Sequence, residues 1–167
     1  MQRGEGRSRI GLNLIGMTVP ESDAERREWI AKLDKNELDQ EASIRSNAAT
    51  RPTAYINPVR LCVDFNAHLP PRSTLVMDGG DFVGTAANVL VPRGGLCWLD
   101  PGAFGTLGVG AGFAMAAKVS RPSSEVWVFY GDGACGFSIV EFDTCVRFKI
   151  GIIAVVRKNC DAAFLQR

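Results

Sequence analysis

The residues with the clearest chemical potential are an aspartate between two glycines and an asparagine that follows one strand later. Gly131-Asp132-Gly133 closes the apolar run Val126–Tyr130, which predicts a buried strand ending in a tight turn. The segment after the turn predicts a single helix with one mostly apolar face, formed by Phe137, Val140, Glu141, Thr144, Cys145 and Phe148. A helix that starts directly after such a turn offers free backbone N–H groups and a favourable dipole to an anion. Asp132 would repel that anion unless a hard cation such as Mg²⁺ stood between its carboxylate and a phosphate.

A second apolar run, Ile152–Val156, predicts a second buried strand, which leads to the other candidate metal ligand. Asn159 follows this run, with 26 residues between it and Asp132, about the length of one helix plus one strand. In a right-handed strand–helix–strand crossover the two strands lie side by side, so both side chains reach the same carboxyl-end edge of the sheet. The spacing therefore predicts one Mg²⁺ and phosphate site shared by Asp132 and Asn159.

The chain resembles the thiamine diphosphate-dependent enzymes, whose motif is GDG with an asparagine roughly 26 residues later. Three other segments extend the resemblance, namely Asp78–Gly84, Trp98–Gly108 and Glu141–Thr144. The sequences of these segments are most similar to those of the acetolactate synthase-like proteins of animals, also described as 2-hydroxyacyl-CoA lyases. The resemblance is good from about Asn57 to Val156 and weak before it.

The resemblance implies a cofactor, a metal and the residues that hold them. Mg²⁺ would be bound by Asp132, by the side-chain oxygen of Asn159 and by a backbone carbonyl near Asp161. The loop that starts at Gly105 would accept a hydrogen bond from the aminopyrimidine, and Leu107 would be the apolar wedge that bends the cofactor. The implied cofactor-binding residues are Asp78, Gly79, Gly80, Gly105, Thr106, Leu107, Gly131, Gly133, Ala134 and Cys135.

The segment before Asn159 departs from the family pattern. Family members often have two asparagines in a row, whereas this chain has Lys158-Asn159 preceded by Arg157. Two cations beside a divalent ion raise the electrostatic energy unless they point toward phosphate or solvent. A frame or splice error near the end of the chain is an alternative explanation of this segment.

The glutamate that activates the cofactor is also missing. In the family it belongs to an N-terminal domain of the neighbouring subunit, and no stretch of this chain resembles that domain. No residue is therefore assigned as catalytic, and we expect the chain alone to bind cofactor without turning over substrate.

The function implied by the resemblance is carbon–carbon bond cleavage or formation next to a carbonyl, with the cofactor as electron sink. For the lyase, a 2-hydroxyacyl-CoA would give an aldehyde and formyl-CoA; the alternative within the family is an acetolactate synthase-type carboligase. The implied partners are the small-molecule cofactor, an acyl substrate and further copies of the chain in a dimer or tetramer. The resemblance also implies the endoplasmic reticulum membrane as the location.

Two interpretations of the chain's function outside this family stay open. The first is a Rossmann-like nucleotide domain, although the glycine-rich Gly105–Gly112 lacks the GxGxxG order. The second is a non-catalytic remnant that folds poorly or serves only as a partner.

Composition excludes several other classes of protein. A net charge of +1 gives no electrostatic case for binding nucleic acid. No apolar run approaches the ~20 residues that cross a bilayer. His68 is the only histidine, so neither a histidine-based triad nor a multi-histidine metal site can form. The five cysteines show no CxxC pair, which favours buried free thiols over disulfides or zinc.

From about residue 57 onward, apolar runs typical of strands alternate with segments that have helical periodicity, and these elements must position the site. This alternation predicts an α/β fold, a doubly wound parallel sheet with helices on both faces, in which four strands can be placed. We expect a loose tail over 1–22, a surface helix and linker over 23–56, and a C-terminally incomplete cofactor-binding domain over 57–167. Ser22 and Glu25 predict a capping box for the surface helix, and Asn57-Pro58 predict the cap and first turn of the next helix. A further helix is predicted over about 104–119.

Overall fold

The computed structural model describes residues 24–50 and 56–157, apart from the side chain of Glu25, and divides the chain into two units, Met1–Ser46 and Asn47–Arg167. In the first unit the described residues form helix α1, which runs as Ala24–Ala48. Its apolar stripe is exposed, since Trp29 is 60% and Leu38 67% accessible. Ser22, the side chain of Glu25, the predicted tail and residues 51–55 of the linker lie outside the description, so those predictions remain predictions.

The second unit contains a parallel sheet with helices between its strands. Its strand order is β2-β1-β3-β4, and all neighbouring pairs are parallel. The predicted α/β fold and the four predicted strands are confirmed. The elements are α2 (Pro58–His68), β1 (Thr74–Asp78), α3 (Asp81–Val89), β2 (Trp98–Leu99), a 3-10 turn (Gly102–Phe104), α4 (Gly110–Ser120), β3 (Val126–Gly131), α5 (Asp132–Ser138), α6 (Glu141–Arg147) and β4 (Ile153–Arg157).

Side chains of β3 alternate between two cores, because successive residues of a strand point to opposite faces of the sheet. Val128 and Tyr130 pack with Ala114 of α4 on one face. Phe129 meets the rings of Phe65 and Phe82 on the other, with ring centroids 5.6 Å and 6.3 Å away. Helices therefore cover both faces of the sheet, as predicted.

Helix α2 begins as its sequence predicts. The side chain of Asn57 accepts hydrogen bonds from the backbone N–H groups of Val59 (2.9 Å) and Arg60 (3.3 Å), and Pro58 is the first helical residue. Proline suits this position because its missing N–H would have no partner inside the helix. The helix leaves Phe65 facing the sheet.

The single helix predicted after Gly133 is wrong, because two short helices replace it. Backbone bonds from Phe142 to Ile139 and from Asp143 to Val140 span three residues, which tightens the chain between α5 and α6 and shifts the helical phase. The residues predicted to share one apolar face therefore separate. Cys145 is buried, whereas Phe137 and Val140 are 71% and 72% exposed.

The prediction of a buried strand over Ile152–Val156 is also wrong in its burial. Strand β4 forms there, but Ile153 is 39% and Val156 48% exposed. In the part of the chain that the structure describes, β4 pairs only with β3 and forms the edge of the sheet. The apolar run thus predicted the position of the strand correctly and its burial incorrectly.

The helix predicted over about 104–119 begins later. A 3-10 turn and an irregular loop occupy residues 102–109, and α4 starts at Gly110. No helix within 24–50 or 56–157 is both long and apolar enough to cross a bilayer.

We expect Gly110→Ala to destabilise the fold, because a Cβ at this position would lie 2.7 Å from Cε1 of Tyr130 and 2.8 Å from Cβ of Asp78, both buried. Overpacking of this kind typically costs about 1–3 kcal/mol of unfolding free energy. Urea unfolding followed by circular dichroism measures it.

Gly112→Ala is the matched control in the same helix, since a Cβ there meets no atom within 4 Å. Its unfolding free energy should stay unchanged or rise by up to ~1 kcal/mol, because alanine favours a helix over glycine. Equal stabilities for the two variants would contradict the close packing of Gly110.

Candidate functional site

The carboxyl ends of β1, β3 and β4 meet at one edge of the sheet, where the predicted site residues lie. Asp78 pairs with Tyr130, and Gly131 pairs with Arg157. The sequence prediction that β3 and β4 are parallel neighbours is therefore confirmed. Asn159, Asp161 and Lys158 follow β4 and lie outside the described residues, so their part in a metal site stays a prediction.

The turns after β1 and β3 touch through their backbones. The N–H of Gly131 donates to the carbonyl of Gly79 at 3.0 Å. A Cβ on Gly131 would stand only 2.9 Å from that carbonyl oxygen, and a Cβ on Gly80 would stand 3.3 Å from Cα of Gly131. Gly79 and Gly80 also have positive φ angles of 61° and 84°, which favour glycine. Glycine is required here for close approach as well as for backbone conformation.

Leu107 reaches the same place from the loop before α4. Its Cδ2 atom lies 2.1 Å from where a Cβ of Gly79 would be, and Cβ of Ala134 lies 3.1 Å from that point. The side chain of Leu107 remains 47% exposed above this contact. The structure thus brings together three of the predicted cofactor segments, around residues 79, 107 and 134. Gly105 ends the 3-10 turn in the left-handed region, with φ 65°, and Thr106 is exposed.

The carboxylate of Asp78 points into the protein. It is fully buried, and its two oxygens accept hydrogen bonds from the N–H groups of Gly108 (3.0 Å) and Gly110 (2.7 Å). Gly110 is the first residue of α4, so this carboxylate occupies the positive end of that helix. A phosphate cannot take the same position, which argues against a nucleotide bound by the glycine-rich segment.

The start of α5 has no side-chain cap from its N-cap residue, Gly131. Gly131 precedes the helix, Asp132 and Gly133 are exposed, and Oδ1 of Asp132 accepts from the N–H of Gly133 at 3.0 Å. A Cβ added to Gly133 would meet nothing within 4 Å, so the space in front of it is open. Donors from the first turn of a helix, an exposed carboxylate and open space together fit a diphosphate bridged to the protein by a cation.

Cys135 and Ala134 line the inner side of this turn. Both are buried, and burial together with the neighbouring Asp78 charge raises the pKa of the Cys135 thiol above its ordinary value. A raised pKa keeps the thiol protonated and unreactive near neutral pH. The side chain of Cys135 therefore serves in packing and not as a nucleophile. The four cysteines of the described residues are all buried free thiols, as predicted.

Arg157 is turned toward Asp81. The Nη1–Oδ2 distance is 3.6 Å, which places an ion pair between the end of β4 and the start of α3. The charge of this arginine is thus partly balanced by a carboxylate on the protein. Arg157, one of the two cations that precede Asn159 in the sequence, therefore pairs with Asp81 and not with a predicted metal ligand.

Two features of the edge were missed by the sequence analysis. Asp100 orders the segment before the 3-10 turn, since its oxygens accept from Nε1 of Trp98 and from the N–H of Gly102, both at 2.6 Å. The inward carboxylate of Asp78 was also missed. Its signal was available, because an acid that directly follows the apolar run Leu75-Val76-Met77 of a buried strand must find donors inside the protein.

A protein-family model matches residues 78–165, and its description is thiamine pyrophosphate enzyme, C-terminal TPP binding domain. Human 2-hydroxyacyl-CoA lyase 2 is 53% identical over 129 residues, which are 77% of this chain and 20% of that protein. Its counterpart in Caenorhabditis elegans is 44% identical over 130 residues, with the same coverage. An acetolactate synthase large subunit from Mycobacterium tuberculosis is 40% identical over 104 residues, covering 62% of this chain and 19% of the synthase.

Among solved structures, a thiamine diphosphate-dependent 4-hydroxybenzoylformate decarboxylase from Rhodococcus jostii superposes with a TM-score of 0.62. The two share 21% identity, over 70% of this chain and 22% of the decarboxylase, so the likeness shows the fold alone. The chain spans about a fifth of the length of the curated relatives it matches.

We expect Cys135 to react slowly with a thiol reagent in the native protein at pH 8, at least about tenfold slower than in the unfolded chain, because its raised pKa and burial reduce exposed thiolate. Mass spectrometry of peptides after timed labelling measures each thiol separately. Cys62, whose pKa burial raises to about 11, should be slow as well. Native labelling of Cys135 at the unfolded rate would show an accessible nucleophile.

Proposed function

We propose, from the premise that this chain belongs to the thiamine pyrophosphate enzymes through their C-terminal TPP-binding domain, that it binds the diphosphate end of thiamine diphosphate together with Mg²⁺. The whole protein would be a carbon–carbon lyase that cleaves a 2-hydroxyacyl-CoA to an aldehyde and formyl-CoA. The observation that carries this proposal is the uncapped start of α5, with the exposed Asp132, directly beside the Gly79–Gly131 contact.

The residues divide into a phosphate end and a ring end. At the phosphate end, the N–H groups of Ala134 and Cys135 would bind oxygens, and the turn through Gly79 and Gly80 would lie alongside. The N–H of Gly133 would join them once the Asp132 carboxylate, which it now bonds, turns to the metal. Asp132 would bind Mg²⁺, joined by Asn159 and by a carbonyl near Asp161. The phosphates and a water would complete the octahedral coordination that Mg²⁺ prefers.

At the ring end, the loop Gly105-Thr106-Leu107 would receive the aminopyrimidine. Leu107 is suited to the role of an apolar wedge, because its side chain rests on Gly79 and still exposes 47% of its surface. The bound cofactor supplies an electron sink for the carbanion formed next to a carbonyl. The protein's contribution is to hold the two ends of the cofactor in a fixed relation.

The carboxylates near this edge already have partners, which supports the proposal that the chain alone does not turn over substrate. Asp78 binds two backbone N–H groups, Asp81 pairs with Arg157, and Asp100 binds Trp98 and Gly102. The activating glutamate would come from another domain, as the resemblance implies. Purified chain with cofactor, Mg²⁺ and a 2-hydroxyacyl-CoA should therefore release no aldehyde.

Three finer points are proposed on resemblance alone. The whole protein would form a dimer or tetramer and would be located at the endoplasmic reticulum membrane. The second candidate activity is an acetolactate synthase-type carboligase, favoured by the 40% identity to a synthase subunit. Assaying the whole protein with pyruvate and with a 2-hydroxyacyl-CoA separates the two activities.

We expect thiamine diphosphate to bind the chain only with Mg²⁺ present, and Asp132→Ala to weaken that binding by at least about tenfold, because a metal ligand is lost. Isothermal titration calorimetry with and without Mg²⁺ measures both effects. Asn159→Ala should reduce the affinity in the same metal-dependent way.

Asp143→Ala is the matched control, because it removes the same charge from an exposed carboxylate that pairs with Arg147 on α6. Its affinity should equal that of the wild type. If thiamine diphosphate binds equally well with and without Mg²⁺, and equally well to Asp132→Ala, the proposed site is wrong. No binding of any cofactor by a chain that unfolds cooperatively would favour the non-catalytic remnant.

A further inference from the structure

We propose that Asp78 is a positioning residue for the ring end of the cofactor, acting through the loop before α4 and touching no part of the ligand itself. The proposal rests on the proposed function, since it assumes that the Gly105–Leu107 loop receives the aminopyrimidine. It changes the role of Asp78 from a direct cofactor contact, as the sequence suggests, to a support of the neighbouring loop.

The carboxylate is committed to that loop by two hydrogen bonds. Oδ1 accepts from the N–H of Gly108 at 3.0 Å and Oδ2 accepts from the N–H of Gly110 at 2.7 Å, while the whole residue is buried. Hydrogen bonds to an ionised acceptor are stronger than those between neutral groups. Neither oxygen is left facing the open edge where a ligand could enter.

Helix α4 depends on Asp78 for its cap. The N-cap residue is Val109, whose side chain cannot accept a hydrogen bond, and no side-chain cap is made from within the helix. The carboxylate from β1 supplies the missing acceptor and places negative charge at the positive end of the helix dipole. The start of α4 is therefore fixed relative to the sheet by a residue about 30 positions earlier.

The hydrogen bonds of Asp78 also fix the position of Leu107. Leu107 directly precedes Gly108, whose N–H is bound by Asp78 and whose φ of 89° turns the chain. Its side chain rests on Gly79, the residue directly after Asp78. The backbone of this loop is thus held by Asp78, the last residue of β1, and the Leu107 side chain by Gly79, the residue directly after the strand.

The phosphate end is held differently. Asp132 and the first turn of α5 follow β3, which is held beside β1 by backbone bonds only, through the strand pairing and the bond from Gly131 to the carbonyl of Gly79. No hydrogen bond of the Asp78 side chain in the described structure reaches that turn. A change in the Asp78 carboxylate should therefore affect the ring end selectively.

Asp78→Asn tests this on the whole 167-residue chain. The amide has nearly the same size but only one acceptor oxygen, so one of the two loop bonds must break. We expect the affinity for thiamine diphosphate with Mg²⁺ to fall at least tenfold, and that for inorganic pyrophosphate with Mg²⁺ to change less than twofold. Hydrogen exchange, followed by NMR, should accelerate at least tenfold at the amide, Gly108 or Gly110, that loses its acceptor.

Asp64→Asn is the matched control, because Asp64 is an exposed carboxylate paired with Arg60 on α2. It should leave both affinities and both amides unchanged. If Asp78→Asn loses cooperative unfolding, the same titrations on Asp78→Glu replace it. That variant keeps the charge and both oxygens but moves them by one methylene, and it should show the same selective loss.

The outcomes separate the two proposals. Equal losses for both ligands, or no loss for thiamine diphosphate, would overturn the positioning role and leave the cofactor site intact. A wild-type chain that binds neither ligand would overturn the proposed function, and the positioning role with it.

Discussion

The close approach of two backbone turns, after β1 and after β3, is the constraint on which the rest of this edge depends. The N–H of Gly131 reaches the carbonyl of Gly79, and no side chain fits at either residue without a clash. Because the turns touch, Leu107 and Ala134 converge on Gly79, and the loops before α4 and around α5 become neighbours. Any substitution that separates the turns would separate the two ends of the proposed cofactor site.

Electrostatics assigns different roles to the two helices that start at this edge. Both have N-terminal N–H groups that attract negative charge. Helix α4 satisfies this attraction internally with the buried carboxylate of Asp78, whereas α5 presents its first turn to open space with an exposed Asp132 nearby. One helix start thus orders a loop, and the other is the place where the proposed site would bind an external anion and its cation. The ion pair of Arg157 with Asp81 lowers the positive charge that this cation would otherwise meet.

Where the sequence patterns gave wrong predictions, they predicted the type of element correctly and its burial incorrectly. An apolar strand run placed β4 correctly, yet burial depends on how many neighbours the sheet supplies, and β4 has one in the described residues. The helical period after Gly133 was real, but three-residue bonds around Ile139 and Val140 break it and rotate the second half. Local sequence carries the preference for an element, and contacts distant in the chain decide which of its faces are covered.

The sequence by itself determined the alternation of strands and helices, the parallel sheet, the cap at Asn57 and the family, because each follows from local spacing or from a contiguous motif. It also indicated that Asp132 lies at the end of a strand beside a helix start. Only the tertiary structure decided that the carboxylate of Asp78 faces inward, that Leu107 rests on Gly79 and that Arg157 pairs with Asp81. Each of these contacts joins residues about 25 to 80 positions apart, and hydrogen-bond direction and steric fit at that distance are set by the packing of whole elements against the sheet.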